Sequence, residues 1–273
     1  MAAGYSSMSH VISKDGTPIV YERVGTGPAL VLVGGGLDDG SENAPLAHAL
    51  AGHLTVFNYA RRGRGESGDT PPYAVEREIE DLQALVAEAG GSAHVYGVSS
   101  GGALALEAAA AGIAIDRIAV YEVPYDADDE GAERHGEYVE KLDALLADGR
   151  RGDALELFMR MAGSSEEGIA GARESPMWPG LEAIAPTLAY DAACLGDGRP
   201  PSARLAQIAT PTLVITGGTP DPHTAGLGSE FFHRAADAIV ASMPRAERLI
   251  LKGQTHVVDP SVLAPVLRRF FMA

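Results

Sequence analysis

Residues 93–111 constrain the fold of this chain more than any other stretch. Val95-Tyr96-Gly97-Val98-Ser99-Ser100-Gly101-Gly102 reads as the end of a strand, a tight turn and the start of an alanine-rich helix, which Gly112 stops. Ser99 stands at the tip, with Gly97 and Gly101 two positions to either side. A strand that turns straight into a helix brings that helix back onto its own sheet, so side chains at the two flanking glycines would collide with neighbouring backbone. The resulting G-x-S-x-G turn is strained and pushes the serine hydroxyl out beyond the sheet edge. In a chain with 33 glycines the pentapeptide gains meaning only from what surrounds it.

The surroundings alternate between strand and helix. Val11–Ser13 and Ile19–Val24 flank the turn Lys14-Asp15-Gly16-Thr17 and predict an antiparallel hairpin. Ala29–Val33 is a continuous apolar run, as in a strand covered on both faces, and it ends in Gly34-Gly35-Gly36. A helix beginning at Ser41 follows, then a strand over 54–59. Val75, Ile79, Leu82 and Val86 next fall at helical spacing, with Gly90-Gly91 as the stop. Residues 93–98 and 115–121 are further strands. After a long interval, Thr212–Thr216, a helix near 231–241, the strand Arg248–Leu251 and a final helix resume the alternation. That last helix is expected to take Ser261 as N-cap, with Pro265 in its first turn. Alternation of this kind specifies an α/β fold with a mostly parallel central sheet flanked by helices.

From 124 to 201 the alternation stops. This stretch is helical in pattern without a strand, opens on Asp126, Asp128, Asp129, Glu130 and Glu133, and suggests two helices broken at Gly149 and Gly152. The expected organisation is therefore a core from 1–123 and 202–273, with 124–201 inserted as a helical cap over one end of the sheet. The net charge of −16 opposes nucleic acid and anionic membranes, because phosphate contacts need clustered Lys and Arg. The densest basic run, Arg61-Arg62-Gly63-Arg64, is short and lies in a turn-like sequence. The single cysteine, Cys194, excludes an internal disulfide and fits a reducing, cytoplasmic setting. Residues 1–10 lack the pattern of a signal peptide, and 1–7 read as a disordered leader. No partner beyond a small-molecule substrate is implied, and a homo-oligomer is left open.

A serine hydroxyl is a weak nucleophile at neutral pH and needs a histidine base oriented by a carboxylate. Of eight histidines, His256 follows the last strand in Gly253-Gln254-Thr255-His256. Loops at the carboxyl ends of parallel strands gather on one edge, so His256 and Ser99 should share it. Two carboxylates compete for the third place. Asp221 follows the strand at Thr212–Thr216, and Glu122 ends the strand over 115–121. Both keep the chain order serine, acid, histidine; motif order puts Asp221 first and Glu122 as the alternative. An oxyanion formed on a carbonyl needs two N–H donors. Ser100, at a helix N-terminus, offers one, and Gly36 the other. The glycine run does not fit a dinucleotide fingerprint, because its third glycine position is Asp39, and Asp38 and Asp39 would repel a pyrophosphate. No cofactor or metal is implied. Gly35, Leu37, Met177, Trp178 and Tyr190 are the expected lining of a largely apolar substrate pocket.

With these features assembled, the chain resembles the α/β-hydrolase-fold superfamily over everything except the cap. Tyr59-Ala60-Arg61-Arg62-Gly63-Arg64-Gly65-Glu66-Ser67 is similar to the D-x-R-G-x-G-x-S turn after that superfamily's fourth strand. Departures are Gly34-Gly35 where His-Gly is usual, Ala60 where the turn acid is usual, and Asp221 one residue later than the common acid position. Haloalkane dehalogenases of this fold draw their acid from the position that Glu122 matches, but with an aspartate nucleophile, as in epoxide hydrolases; Ser99 argues against both activities. The resemblance implies a serine hydrolase acting on an ester, thioester or lactone through an acyl-enzyme. It also leaves room for a non-catalytic binding protein, or for C–C bond cleavage on the same scaffold.

Overall fold

The computed structural model describes residues 7–273; the leader expected at 1–7 lies outside them except for Ser7, which begins the first strand. In chain order the elements are β1 (Ser7–Ile12), β2 (Pro18–Val24), β3 (Ala29–Val33), α1 (Ala44–Leu50), β4 (Thr55–Tyr59), α2 (Val75–Glu88), β5 (Ala93–Val98), α3 (Ser100–Ala110) and β6 (Ile115–Tyr121). The helices α4 (Gly131–Ala147), α5 (Arg151–Met161), α6 (Glu166–Arg173), α7 (Trp178–Ile184), α8 (Leu188–Cys194) and α9 (Ser202–Leu205) follow. The chain finishes with β7 (Thr212–Gly217), α10 (Phe231–Ser242), β8 (Ala246–Leu251) and α11 (Pro260–Phe271).

The eight strands form one sheet in the order β1-β2-β4-β3-β5-β6-β7-β8. The β1–β2 hairpin and the β2–β4 pair are antiparallel, and every pairing from β4 through β3 to β8 is parallel. Parallel strands covered on both faces read as unbroken apolar runs. Accordingly Leu30 to Val33 are fully buried, and so is all of β4. The two sheet faces carry separate apolar clusters. Val31, Val33, Val95 and Val120 pack with α2, α3 and α10; Leu30, Leu32, Tyr96 and Ile215 pack with α1 and α11. The N-terminal β hairpin and the βα units of the sequence reading are present with small shifts of boundary.

Several boundaries differ for physical reasons. The first helix starts at Ala44, because Asp38 accepts from the N–H groups of Gly40 and Glu42 and holds the preceding residues in a loop. Gly149 does break the chain between α4 and α5, at φ 70°, but Gly152 sits inside α5. The α11 cap is Asp259, which accepts from the N–H of Ser261, with Pro260 as the first helical residue. Ser261 is therefore inside the helix, and Pro265 lies in its interior. Between β6 and β7 no strand intervenes, and α4, α5, α7 and α8 close around their own apolar cluster of Tyr138, Leu142, Leu155, Trp178, Ala185 and Leu188.

Candidate active site

The strand-end loops of β3, β5 and β6 each carry a backbone conformation that L-residues avoid. Among the described residues, the non-glycine positions with positive φ are Leu37 at 62°, Ser99 at 54° and Glu122 at 47°. Such strain costs on the order of 1–3 kcal/mol each and persists only where the surroundings impose it. At Ser99 the imposition is visible. A Cβ on Gly97 would lie 2.4 Å from the Gly101 carbonyl oxygen, and one on Gly101 would lie 2.4 Å from the carbonyl oxygens of both Val33 and Gly34. The turn is thus compressed between β3 and the first turn of α3, and Ser99 is the residue that projects. Its N–H donates to the Tyr121 carbonyl at 2.9 Å, anchoring the tip to β6. Ser99 precedes α3, whose first N–H groups have no intrahelical acceptor; Ser100 supplies one of them.

The loop after β3 lies against this serine. A Cβ on Gly35 would approach the Ser99 Cβ to 3.2 Å, and one on Gly36 would meet Phe158 of α5 at 3.5 Å. Leu37 packs onto the apolar cluster of the insertion. Gly35, Gly36, Leu37, Ser99 and Ser100 are therefore brought together, with Phe158 added.

His256 is in the loop between β8 and α11, and its Nδ1 is 2.7 Å from Oε2 of Glu122. The other carboxylate oxygen, Oε1, accepts the N–H of Gly217 at 2.8 Å, so Glu122 is aimed from the end of β6 across the end of β7. Glu122 is 5% exposed at its side chain and His256 23%, so the pair is shielded on the acid side and open on the base side. One face of the imidazole is covered by Phe232 of α10, with ring centroids 5.0 Å apart and planes at 18°.

Asp221, placed first by motif order, does not meet His256. It accepts from the N–H of His223 at 2.8 Å, and Thr255 and Val257, on either side of His256, lie beside it. Burial alone would raise its pKa, but the His223 N–H, with Thr255 and Val257 beside it, outweighs burial and holds it below the ordinary carboxylate value. The path of the chain is the physical reason: after Gly217 the backbone folds back, the Thr219 N–H donating to the Gln254 carbonyl, so that Asp221 sits against the residues on either side of His256. Tyr121 adds to this contact by donating its hydroxyl to the Thr255 carbonyl. Trp178, expected in the pocket, is 7% exposed within the apolar cluster of the insertion. Met177 is 69% exposed at the start of α7. Tyr190 lies at the seam between insertion and core, stacked on Tyr73 at 3.8 Å and donating to Asp69 at 2.7 Å.

Beneath the serine turn is a group of charges built on the Arg61–Arg64 run, whose ion-pair partners the sequence does not indicate. Arg61, Arg62 and Arg64 are all at most 1% exposed. Arg61 forms a two-point pair with Glu78 at 2.7 Å on each arm, and Arg62 does the same with Asp81 at 2.8 and 2.7 Å. Arg61 and Arg64 also converge on Asp191 of α8. Cys194 lies beside Arg61 and Tyr73, and its thiol pKa is pushed up to about 12 by burial and by the charge of Glu78. That removes it as a nucleophile at neutral pH. No group of three or more His, Cys, Asp or Glu side chains suited to a metal ion occurs among the described residues, and no helix among them is long and apolar enough to cross a membrane.

A mostly parallel sheet with a projecting serine at the end of β5 and a His–carboxylate pair on the same edge defines an α/β hydrolase. A model of the alpha/beta hydrolase family matches residues 30–265, and the chain belongs to that family. Over 96% of this chain and all of the other, it is similar to the crystal structure of an alpha/beta hydrolase from Sphaerobacter thermophilus DSM 20745, with 50% identity and a TM-score of 0.86. The esterase RhEst1 from Rhodococcus sp. ECU1013 shares the fold at 20% identity and a TM-score of 0.66, over 98% of this chain and 99% of that one. The uncharacterized hydrolase YraK of Bacillus subtilis (strain 168) is 35% identical over 96 residues, which is 34% of this chain and 35% of that protein. The chain thus spans about a third of the length of that curated relative.

Proposed function

We propose that the protein is a serine hydrolase that cleaves a carboxylic ester, thioester or lactone through an acyl-enzyme on Ser99. The observation that carries this reading is the 2.7 Å contact between His256 Nδ1 and Glu122 on the edge where Ser99 projects at φ 54°. With Nδ1 committed to the carboxylate, Nε2 is the ring nitrogen left to take a proton. Ser99 Oγ adds to the substrate carbonyl as His256 removes its proton. The carbonyl oxygen becomes an oxyanion held by the N–H groups of Ser100 and Gly36. Collapse of this intermediate expels the alcohol or thiol, which leaves with the proton from His256. Water, deprotonated by the same imidazole, then releases the acid and restores Ser99. Glu122, in place of Asp221, keeps the imidazole oriented and stabilises its cation; a carboxylate in this role contributes roughly 10⁴-fold in rate.

The helices of 124–201 act as a cap over this edge. Phe158 beside Gly36 and Phe232 on His256 give apolar walls, in keeping with a small or medium hydrophobic acyl or alcohol group.

The test is labelling with a fluorophosphonate. Wild-type protein should take up one equivalent on Ser99 and lose hydrolysis of 4-nitrophenyl butyrate in step; Ser99→Ala should take up none. A folded wild type that resists the probe and turns over no ester would overturn the proposal in favour of a binding protein on the same scaffold.

A further inference from the structure

Asp191 has no part in the proton transfers above, yet it gathers three donors beside the serine turn. It belongs to α8, in the insertion, and is 5% exposed. A single oxygen, Oδ1, accepts from Arg61 Nη1 at 2.8 Å, Arg64 Nη2 at 2.8 Å and the Ser100 hydroxyl at 2.7 Å. Each of those donors leads to one of the two segments that would hold an oxyanion. Arg61 Nη1 reaches the Gly34 carbonyl and the Ser100 hydroxyl, both at 3.3 Å, and Arg64 Nη1 donates to the Gly35 carbonyl at 2.6 Å. Ser100 is itself the first residue of α3. The second oxygen, Oδ2, is buried without a hydrogen-bond partner, and a Cβ on Gly36 would come within 3.4 Å of it. The glycine loop is therefore seated against the carboxylate as well as tied to it.

From this arrangement we infer that Asp191 is a positioning residue for the oxyanion hole: one carboxylate of the insertion sets the glycine loop after β3 and the first turn of α3 relative to each other. The inference rests on the serine-hydrolase reading for its catalytic consequence. Two N–H donors from segments far apart in sequence stabilise an oxyanion only if their separation is held to a fraction of an ångström. The β3–β5 pairing sets the strands as far as Val33 and Gly97; past that point the Arg61–Asp191–Arg64 cluster links the glycine loop to the first turn of α3. Burial would raise the pKa of Asp191, but Arg64 and Arg61 beside it, and the Ser100 hydroxyl, bring it below its ordinary value, so the carboxylate is charged at neutral pH. Tyr190, one residue earlier, stacks on Tyr73 and fixes α8 to the core from the other side. In this arrangement an intact insertion is a condition for a formed hole.

Two variants and two readouts test the inference. Asp191→Asn removes the charge, and Ser100→Ala removes one donor while leaving every charge in place. The first readout is the inhibition constant, per titrated active site, of an alkyl trifluoromethyl ketone, whose hemiketal oxyanion with Ser99 needs the same N–H donors. It should rise about 10- to 100-fold in Asp191→Asn, with kcat for 4-nitrophenyl butyrate falling by a similar factor and KM moving less than about threefold. Ser100→Ala should shift both in the same direction by less. A purely structural role would lower the number of titratable sites but leave the inhibition constant of the remaining sites unchanged. The second readout is amide hydrogen exchange in peptides covering 33–40 and 98–104, which should speed up in both variants whether or not the protein turns over an ester. Unchanged exchange in those peptides, or an unchanged inhibition constant in both variants, overturns the inference. A wild type that takes no fluorophosphonate label overturns the serine-hydrolase reading instead, and the exchange measurement still decides whether Asp191 sets the two segments.

Discussion

Glu122 occupies a left-handed backbone position at φ 47° with its side chain buried and both oxygens engaged. A glutamate there has the reach that an aspartate would lack, because the end of β7 lies between β6 and the loop that carries His256. Gly217 makes the crossing feasible: its N–H donates to Glu122, and a Cβ in its place would stand 2.4 Å from the Gln254 carbonyl oxygen. The two carboxylates should therefore respond differently to removal of charge. Glu122→Gln is expected to slow fluorophosphonate labelling by roughly 10³-fold or more, the effect of losing the group that orients a catalytic imidazole. Asp221→Asn should slow it little and should lower stability by about 1–3 kcal/mol, as the buried acceptor of the His223 N–H is weakened. Labelling rates together with urea unfolding separate the two effects, and a larger loss of labelling in Asp221→Asn would reverse the assignment.

At the scale of elements, β5 and α3 act as one unit, and their local sequence is why this part of the fold was legible. Glycines at 97 and 101 are required by contacts of 2.4 Å, and the alanines of α3 let it lie close on the sheet; Ala103, Ala105 and Ala108 are fully buried. The sequence places the cap of α11 two residues late, at Ser261 rather than Asp259, because both are good capping residues and only the folded loop decides between them. In the insertion, short helices joined by tight turns carry too few periods of apolar spacing to be separated by pattern, so the five helices α4 to α8 give a pattern of only two. β5 also carries a titrating group. His94 is 7% exposed, stacks on Phe271 of α11 at 4.9 Å, and has its pKa lowered by burial. Between this lowered value and the ordinary value near 6.5, the unfolded chain binds a proton that the folded chain refuses, so stability present above pH 6.5 is lost as pH falls. Substituting His94→Gln should make the melting temperature fall less steeply between pH 7 and pH 5, in parallel thermal scans of the two proteins. An unchanged slope would show that His94 does not titrate against folding.

On the scale of the molecule, a chain of net charge −16 keeps three arginines out of solvent and spends them on joining its parts. Arg62 ties the β1–β2 turn to α2 through Asp15 and Asp81, and Arg61 ties α2 to α8 through Glu78 and Asp191. Breaking a buried pair costs more than the pair itself contributes, since it leaves the partner charge buried alone. Arg61→Met should accordingly destabilise the protein by about 3–5 kcal/mol in urea unfolding, and adding Glu78→Gln should recover part of the loss. Equal effects from the single and double variants would mean that the stranded charge is not the cause.

The α/β class, the alternation of strands and helices along the chain and the serine turn were determined by the sequence alone. They follow from short-range physics: apolar runs that must be covered on both faces, and a strand-to-helix turn whose sterics admit only glycine at two places. The acid partner of His256 and the function of the basic run were decided by tertiary structure alone. Glu122 and His256 are 134 residues apart, and Arg61 and Asp191 are 130 apart. Nothing in local propensity ranks one distant carboxylate above another. The choice falls to which loop ends the folded sheet brings within hydrogen-bond reach, where a buried charge without a partner would be too costly to keep.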